Sequence, residues 1–156
     1  MVVVPGFHHL EIWVADLATA RREWGWLLRR VGLERTRTWG EDVTGGETWA
    51  VPVDGTRAGP AGEAPAARVG EARAYLTLTT SPNLVAAEHD RRRPGVNHVA
   101  LLGGSPTHVD AIVRDAPDHG WRALYADRYP HAGGPDHYAA WLENAAGFKV
   151  EVVAEL

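Results

Sequence analysis

The chain has 156 residues, of which 45% are hydrophobic and 23% charged, and its formal net charge is −4. That is enough for one domain with its own core, and without a basic stripe nucleic acid is a poor partner. The complete lack of cysteine removes disulfides, thiolate nucleophiles and thiolate metal ligands together.

The opening MVVVPGFHH has no basic and apolar signal regions, and no apolar run reaches membrane-spanning length, so a cytoplasmic protein is expected. The stretch HLEIWVAD (9–16) reads as the first strand. Its alternation puts Leu10, Ile12 and Val14 on one face and His9, Glu11 and Trp13 on the other. The apolar face meets a helix, so His9 points to the opposite side, and His8 to the helix side or its rim.

The first helix is expected over 19–31, with Asp16 as N-cap and Ala20, Trp24, Leu27, Leu28 and Val31 on one face. Gly32 stops it. Strands follow at 34–39, 47–53 and 73–80. Residues 54–70, rich in Ala, Gly and Pro and without periodicity, read as a loop that serves as a lid or stays mobile. The run DRRRPG (90–95) caps a loop in the linker 81–95.

From His98 the chain repeats itself. A strand leads to a second helix near 106–119, with Ser105 as N-cap, Pro106 at N1 and Val109, Ile112 and Val113 as its apolar stripe. Pro117 shortens its end and Gly120 stops it. Gly32 lies 23 residues after His9 and Gly120 lies 22 after His98. Further strands are expected at 121–126, 137–143 and 148–154, with a turn at 144–147. The pattern is βαβββ twice, an α+β architecture of about eight strands with helices outside. It divides into module one (1–80), the linker and module two (96–156) of a single domain, 1–156.

Alternation in the last strand sets Lys149, Glu151 and Val153 opposite Phe148, Val150 and Val152. If the sheets curve round a cavity, His9, His98 and Glu151 project into it. Two imidazoles and a carboxylate suit a divalent metal (Fe, Mn, Zn, Ni or Co) with open positions. The competing reading makes His98 a hydrogen-bonded core histidine. The stretch 127–143, DRYPHAGGPDHYAAWLE, adds His137 and Tyr138 as acid–base candidates. It also offers Arg128, with His131 close by in sequence, to hold an anionic substrate. The competing reading there is a polar hairpin loop. Trp13 and Trp141 are candidates to stack on a planar substrate, against core packing as the alternative.

These residues together resemble the vicinal oxygen chelate superfamily, the glyoxalase, bleomycin-resistance and ring-cleaving dioxygenase fold. HLEIWVAD, PGVNHVALL and LENAAGFKVEVV carry the resemblance, in that order. It implies paired modules forming a cupped eight-stranded mixed sheet, an incomplete barrel, with the metal in the cup on His9, His98 and Glu151. A fourth ligand common in the family falls on Thr79, the expected repeat mate of Glu151. A neutral hydroxyl there argues against the four-ligand patterns and leaves Thr79 among the substrate-binding candidates. The resemblance implies a metal-dependent small-molecule enzyme, dioxygenase-like first. The alternative is a metal-free binding protein of the bleomycin-resistance kind, or a degenerate member with a structural role. A homodimer would cover edge strands.

Overall fold

The computed structural model describes residues 7–41, 44–52, 74–86 and 88–155. The 54–70 loop lies outside them. The described elements are β1 (His9–Trp13), α1 (Leu17–Arg30), β2 (Glu34–Trp39), β3 (Gly46–Ala50), β4 (Tyr75–Thr79), β5 (Val99–Leu102), α2 (Pro106–Asp115), β6 (Trp121–Leu124), β7 (Ala139–Asn144) and β8 (Lys149–Val153), with a 3-10 turn at Ala116–His119. The βαβββ order therefore occurs twice, and the architecture is α+β.

The eight strands form two four-stranded mixed sheets, ordered β1-β4-β3-β2 and β5-β8-β7-β6. In each, the first strand pairs in parallel with the last and the other pairs are antiparallel. By their contacts the residues fall into two compact units. One is Met1–Arg21 with Gly32–Val85 and the other Arg22–Val31 with Ala86–Leu156.

In the first unit the Asp16 side chain accepts the Thr19 amide at 2.6 Å, which is the predicted N-cap. Ile12, Leu76, Leu78 and Trp49 are buried with Leu17 and Ala20. Glu47 is wholly buried, which would be costly for a lone carboxylate. It accepts hydrogen bonds from Arg21 at 2.9 Å and Trp49 Nε1 at 2.9 Å, and Arg35 stands at 3.5 Å.

In the second unit Trp24, Leu27 and Leu28 are buried, as are Val109, Ile112, Trp121, Leu142, Val150 and Val152. Trp24 meets Trp121 edge-on at 5.2 Å and Phe148 at 5.8 Å. Trp121 Nε1 donates to the Glu23 carbonyl at 3.0 Å, which satisfies the indole in this apolar setting. Ser105 caps α2 by accepting the His108 amide at 3.3 Å. The α-helix gives way to the 3-10 turn at Ala116, one residue before Pro117, whose missing N–H cannot continue the ladder. Gly120 then takes φ 82°, a left-handed stop that a Cβ would oppose.

Candidate functional site

On the first sheet the register sets His9 beside Tyr75, Glu11 beside Thr77 and Trp13 beside Thr79. These side chains share one face because parallel partners point the same way. His9 stacks on Tyr75 with centroids 4.9 Å apart. His8 answers for its partner: its Nδ1 lies 2.8 Å from His9 Nδ1 and its ring meets Tyr75 edge-on. A cavity of about 380 Å³ opens on this face, lined among others by His9, Glu11, Trp39, Tyr75, Thr77 and Thr79. Thr79 Oγ1 is buried with no partner among the described residues. Trp13 is 43% exposed and its Nε1 donates to Glu11 at 2.8 Å.

On the second sheet Glu151 lies beside Ala100 of β5 and Trp141 of β7. The two oxygens of its carboxylate each meet an imidazole, His98 Nε2 at 3.0 Å and His137 Nε2 at 2.6 Å. Glu151 is almost buried, whereas the His98 and His137 side chains are 35% and 40% exposed, so the cluster opens to solvent on one side. His98 Nδ1 sits 3.1 Å from Asn97 Oδ1. The Asn97 amide donates Nδ2 to the Arg91 carbonyl, and its Oδ1 also accepts Lys149 Nζ at 3.3 Å, which fixes the oxygen towards His98. His98 is therefore exposed and hydrogen-bonded rather than a core histidine.

The two registers correct one expectation. Two residues beyond each module's histidine lie Glu11 and Ala100, and their partners are Thr77 and Glu151. The repeat mate of Glu151 is thus Thr77, not Thr79. A slip of two leaves every side chain on the same face, so alternation alone cannot detect it. Thr77 is also a neutral hydroxyl, so the argument about a fourth ligand moves to it unchanged. Tyr75 becomes the counterpart of Lys149. His8 holds Nδ1 of His9 just as Asn97 holds Nδ1 of His98.

The stretch before β7 sends its side chains two ways. His137 turns to Glu151 and its ring lies 6.0 Å from Trp141. Tyr138 and Tyr129 both donate to Asp110 Oδ1 on α2, Tyr138 at 2.7 Å. These bonds hold the Asp110 carboxyl below the usual carboxylate range. Tyr129 is raised by burial and then by Asp110, and Tyr138 chiefly by its bond to Asp110. His131 meets the Tyr138 ring edge-on at 5.7 Å, and the Arg128 guanidinium lies 4.9 Å from the Tyr125 ring. Sequence reasoning missed Asn97, Asp110 and Tyr125. Only Lys149, two residues from Glu151 on the same face, was signalled by alternation.

The donor set fits a divalent metal: imidazole nitrogens and a carboxylate, with Nδ1 of His98 already engaged and Nε2 turned inward. Their spacing is that of a hydrogen-bonded cluster. Among the described residues no three His, Cys, Asp or Glu side chains are set as a ligand group. No described helix is long and apolar enough to cross a membrane.

Comparison with known proteins gives consistent relatives. Residues 8–141 match the family model for the Glyoxalase/Bleomycin resistance protein/Dioxygenase superfamily. The uncharacterized protein YqjT of Bacillus subtilis (strain 168) is 32% identical over 148 residues, which is 94% of this chain and 97% of YqjT. A proposed glyoxalase from Bacillus halodurans, solved by crystallography, superposes with TM-score 0.74 at 29% identity, covering 96% of this chain and 95% of its own. The fosfomycin resistance protein FosX of Listeria monocytogenes, crystallised with Mn(II) and sulfate, shares the fold at TM-score 0.56 and 13% identity, with 99% and 95% covered.

Proposed function

Because the chain belongs to the Glyoxalase/Bleomycin resistance protein/Dioxygenase superfamily, we propose that it is a metal-dependent enzyme acting on a small molecule. The observation that carries this reading is the Glu151 carboxylate flanked by the Nε2 atoms of His98 and His137. His98 and Glu151 hold the ion. On the first sheet His9 is the counterpart of His98 in the repeat, and its Nδ1 has the same kind of neighbour. A divalent ion (Fe, Mn, Zn, Ni or Co) supplies Lewis-acid stabilisation of oxyanion charge on vicinal substrate oxygens.

The chain's own groups do the rest. Asn97 orients the His98 ring through Nδ1. His137 Nε2, within reach of the same carboxylate, gives or takes a proton, and Tyr138 stands next to it in the chain, its hydroxyl held by Asp110. Trp141 offers a flat apolar wall. Arg128 and His131 are the further substrate contacts proposed on this unit, and Trp13 and Thr79 are those proposed on the first sheet. A dioxygenase-type reaction is the first to test, with lyase, isomerase and thiol-transfer chemistry next, since the fold hosts more than one.

A second reading, a metal-free binding protein of the bleomycin-resistance kind, is favoured by the aromatic-lined cavity on the first sheet. Metal content separates the two. In tag-free protein we expect near-stoichiometric metal in the wild type and its loss in Glu151→Ala. No metal in either, after addition of Fe(II), Mn, Ni and Zn in turn, would leave the binding reading standing.

A further inference from the structure

Lys149 is only 8% exposed, and long cationic side chains are seldom buried without a carboxylate partner. Its cross-strand neighbour is Glu143. That carboxylate is already taken on both oxygens, by Arg91 at 2.8 Å and by Arg122. Lys149 instead reaches the neutral Asn97 oxygen at 3.3 Å and stands 5.4 Å from the Tyr125 ring. Arg128 approaches that same ring at 4.9 Å. Arg91, Arg92, Arg93, Arg114 and Arg122 each reach a carboxylate, whereas no such pair is seen for Lys149 or Arg128 among the described residues.

Two like charges gathered on one ring repel each other unless an anion comes between them. The ring itself is held at some cost. Tyr125 is the one described non-glycine residue with positive φ, 56°, a conformation that persists where the surroundings demand it. The ring lies 5.8 Å from Trp141, which is the cross-strand partner of Glu151. Asn97 Oδ1 ties Lys149 and His98 to a single atom.

We propose that Lys149 and Arg128, gathered on the Tyr125 ring beside the His98–Glu151 cluster, receive the oxyanion group of the substrate, which is a small organic carboxylate or phosphonate. Guanidinium and ammonium groups both bind such oxygens through charge-assisted hydrogen bonds. The inference rests on the enzyme reading for its reacting centre, but the anion subsite needs no metal to form.

The test is calorimetric titration of metal-free protein, in EDTA, with benzoate, phenylphosphonate and neutral benzamide. We expect at least one anion to bind about tenfold or more tightly than benzamide, more weakly at high salt. Arg128→Gln and Lys149→Met should each remove that preference. Since Lys149 is buried, Lys149→Met is judged only if its circular dichroism matches the wild type; the exposed Arg128 is the variant that decides otherwise. Equal binding of anions and benzamide, no binding of any probe, or an unchanged preference in Arg128→Gln overturns the proposal. Metal content of the wild type is measured alongside. Anion preference in a protein that never takes up metal keeps the subsite and removes the enzyme reading, and metal uptake without anion preference does the reverse.

Discussion

Asn97 is small, polar and exposed, yet its side-chain oxygen is the point on which His98 and Lys149 both settle. If His98 is a ligand, Asn97 is the outer group that sets its ring. Replacing such a group commonly weakens metal affinity by about 10–100-fold. Asn97→Ala should therefore lower affinity within that range in a competition assay with a chelator dye, while Asn97→Asp, which keeps an acceptor, recovers most of it. Equal affinity in all three proteins would place His98 outside the ligand set. At Glu47, removal of a wholly buried carboxylate strands the Trp49 indole and two arginines that are about 40% exposed. Because the arginines can turn to water, Glu47→Ala should cost about 3 kcal/mol, the low end for a broken buried pair, read as a shift in the urea midpoint.

Helix α2 is set by local chemistry at its start and by distant chemistry along its side. The Ser105 cap and Pro106 define the first turn, and Ser105→Ala should cost about 1 kcal/mol of stability. Asp110, one turn further on, fastens the segment before β7 through Tyr129 and Tyr138. Its carboxyl is lowered in the folded protein, so the unfolded chain binds the extra proton first. The stabilisation is complete above the unfolded value of about 3.9 and is lost as pH falls through the lower folded value. Melting temperatures followed from pH 6 downwards should fall less steeply for Asp110→Asn than for the wild type over that acid window. Parallel curves would show that the three side chains do not act as a unit. The sequence placed α2 correctly over its first turns, because caps and the 3.6-residue stripe are local. It also expected Pro117 to shorten the end, and there the last turn is a 3-10 turn over Ala116–His119.

Across the whole chain the repeat has the clearest outcome. Each module builds a sheet in the same strand order, with a histidine opening the strand that pairs in parallel with the module's last (His9) or immediately preceding it (His98). In the second unit the packing centres on Trp24 against Trp121. Trp24→Ala should cost about 3–5 kcal/mol and is checked by equilibrium unfolding. The sequence by itself determined the order of elements, the strand faces, the helix caps and the two module histidines, because alternation, capping and glycine stops depend on residues a few positions apart. It also determined that Glu151 shares a face with Lys149. Only the tertiary structure decided that Thr77 is the counterpart of Glu151, that His137 turns to that carboxylate while Tyr138 turns away, and that Lys149 and Arg128 meet on one ring. Those outcomes depend on pairing register and on the irregular path from Tyr125 to Tyr138. Both are settled by contacts between segments far apart in the chain, which no local pattern encodes.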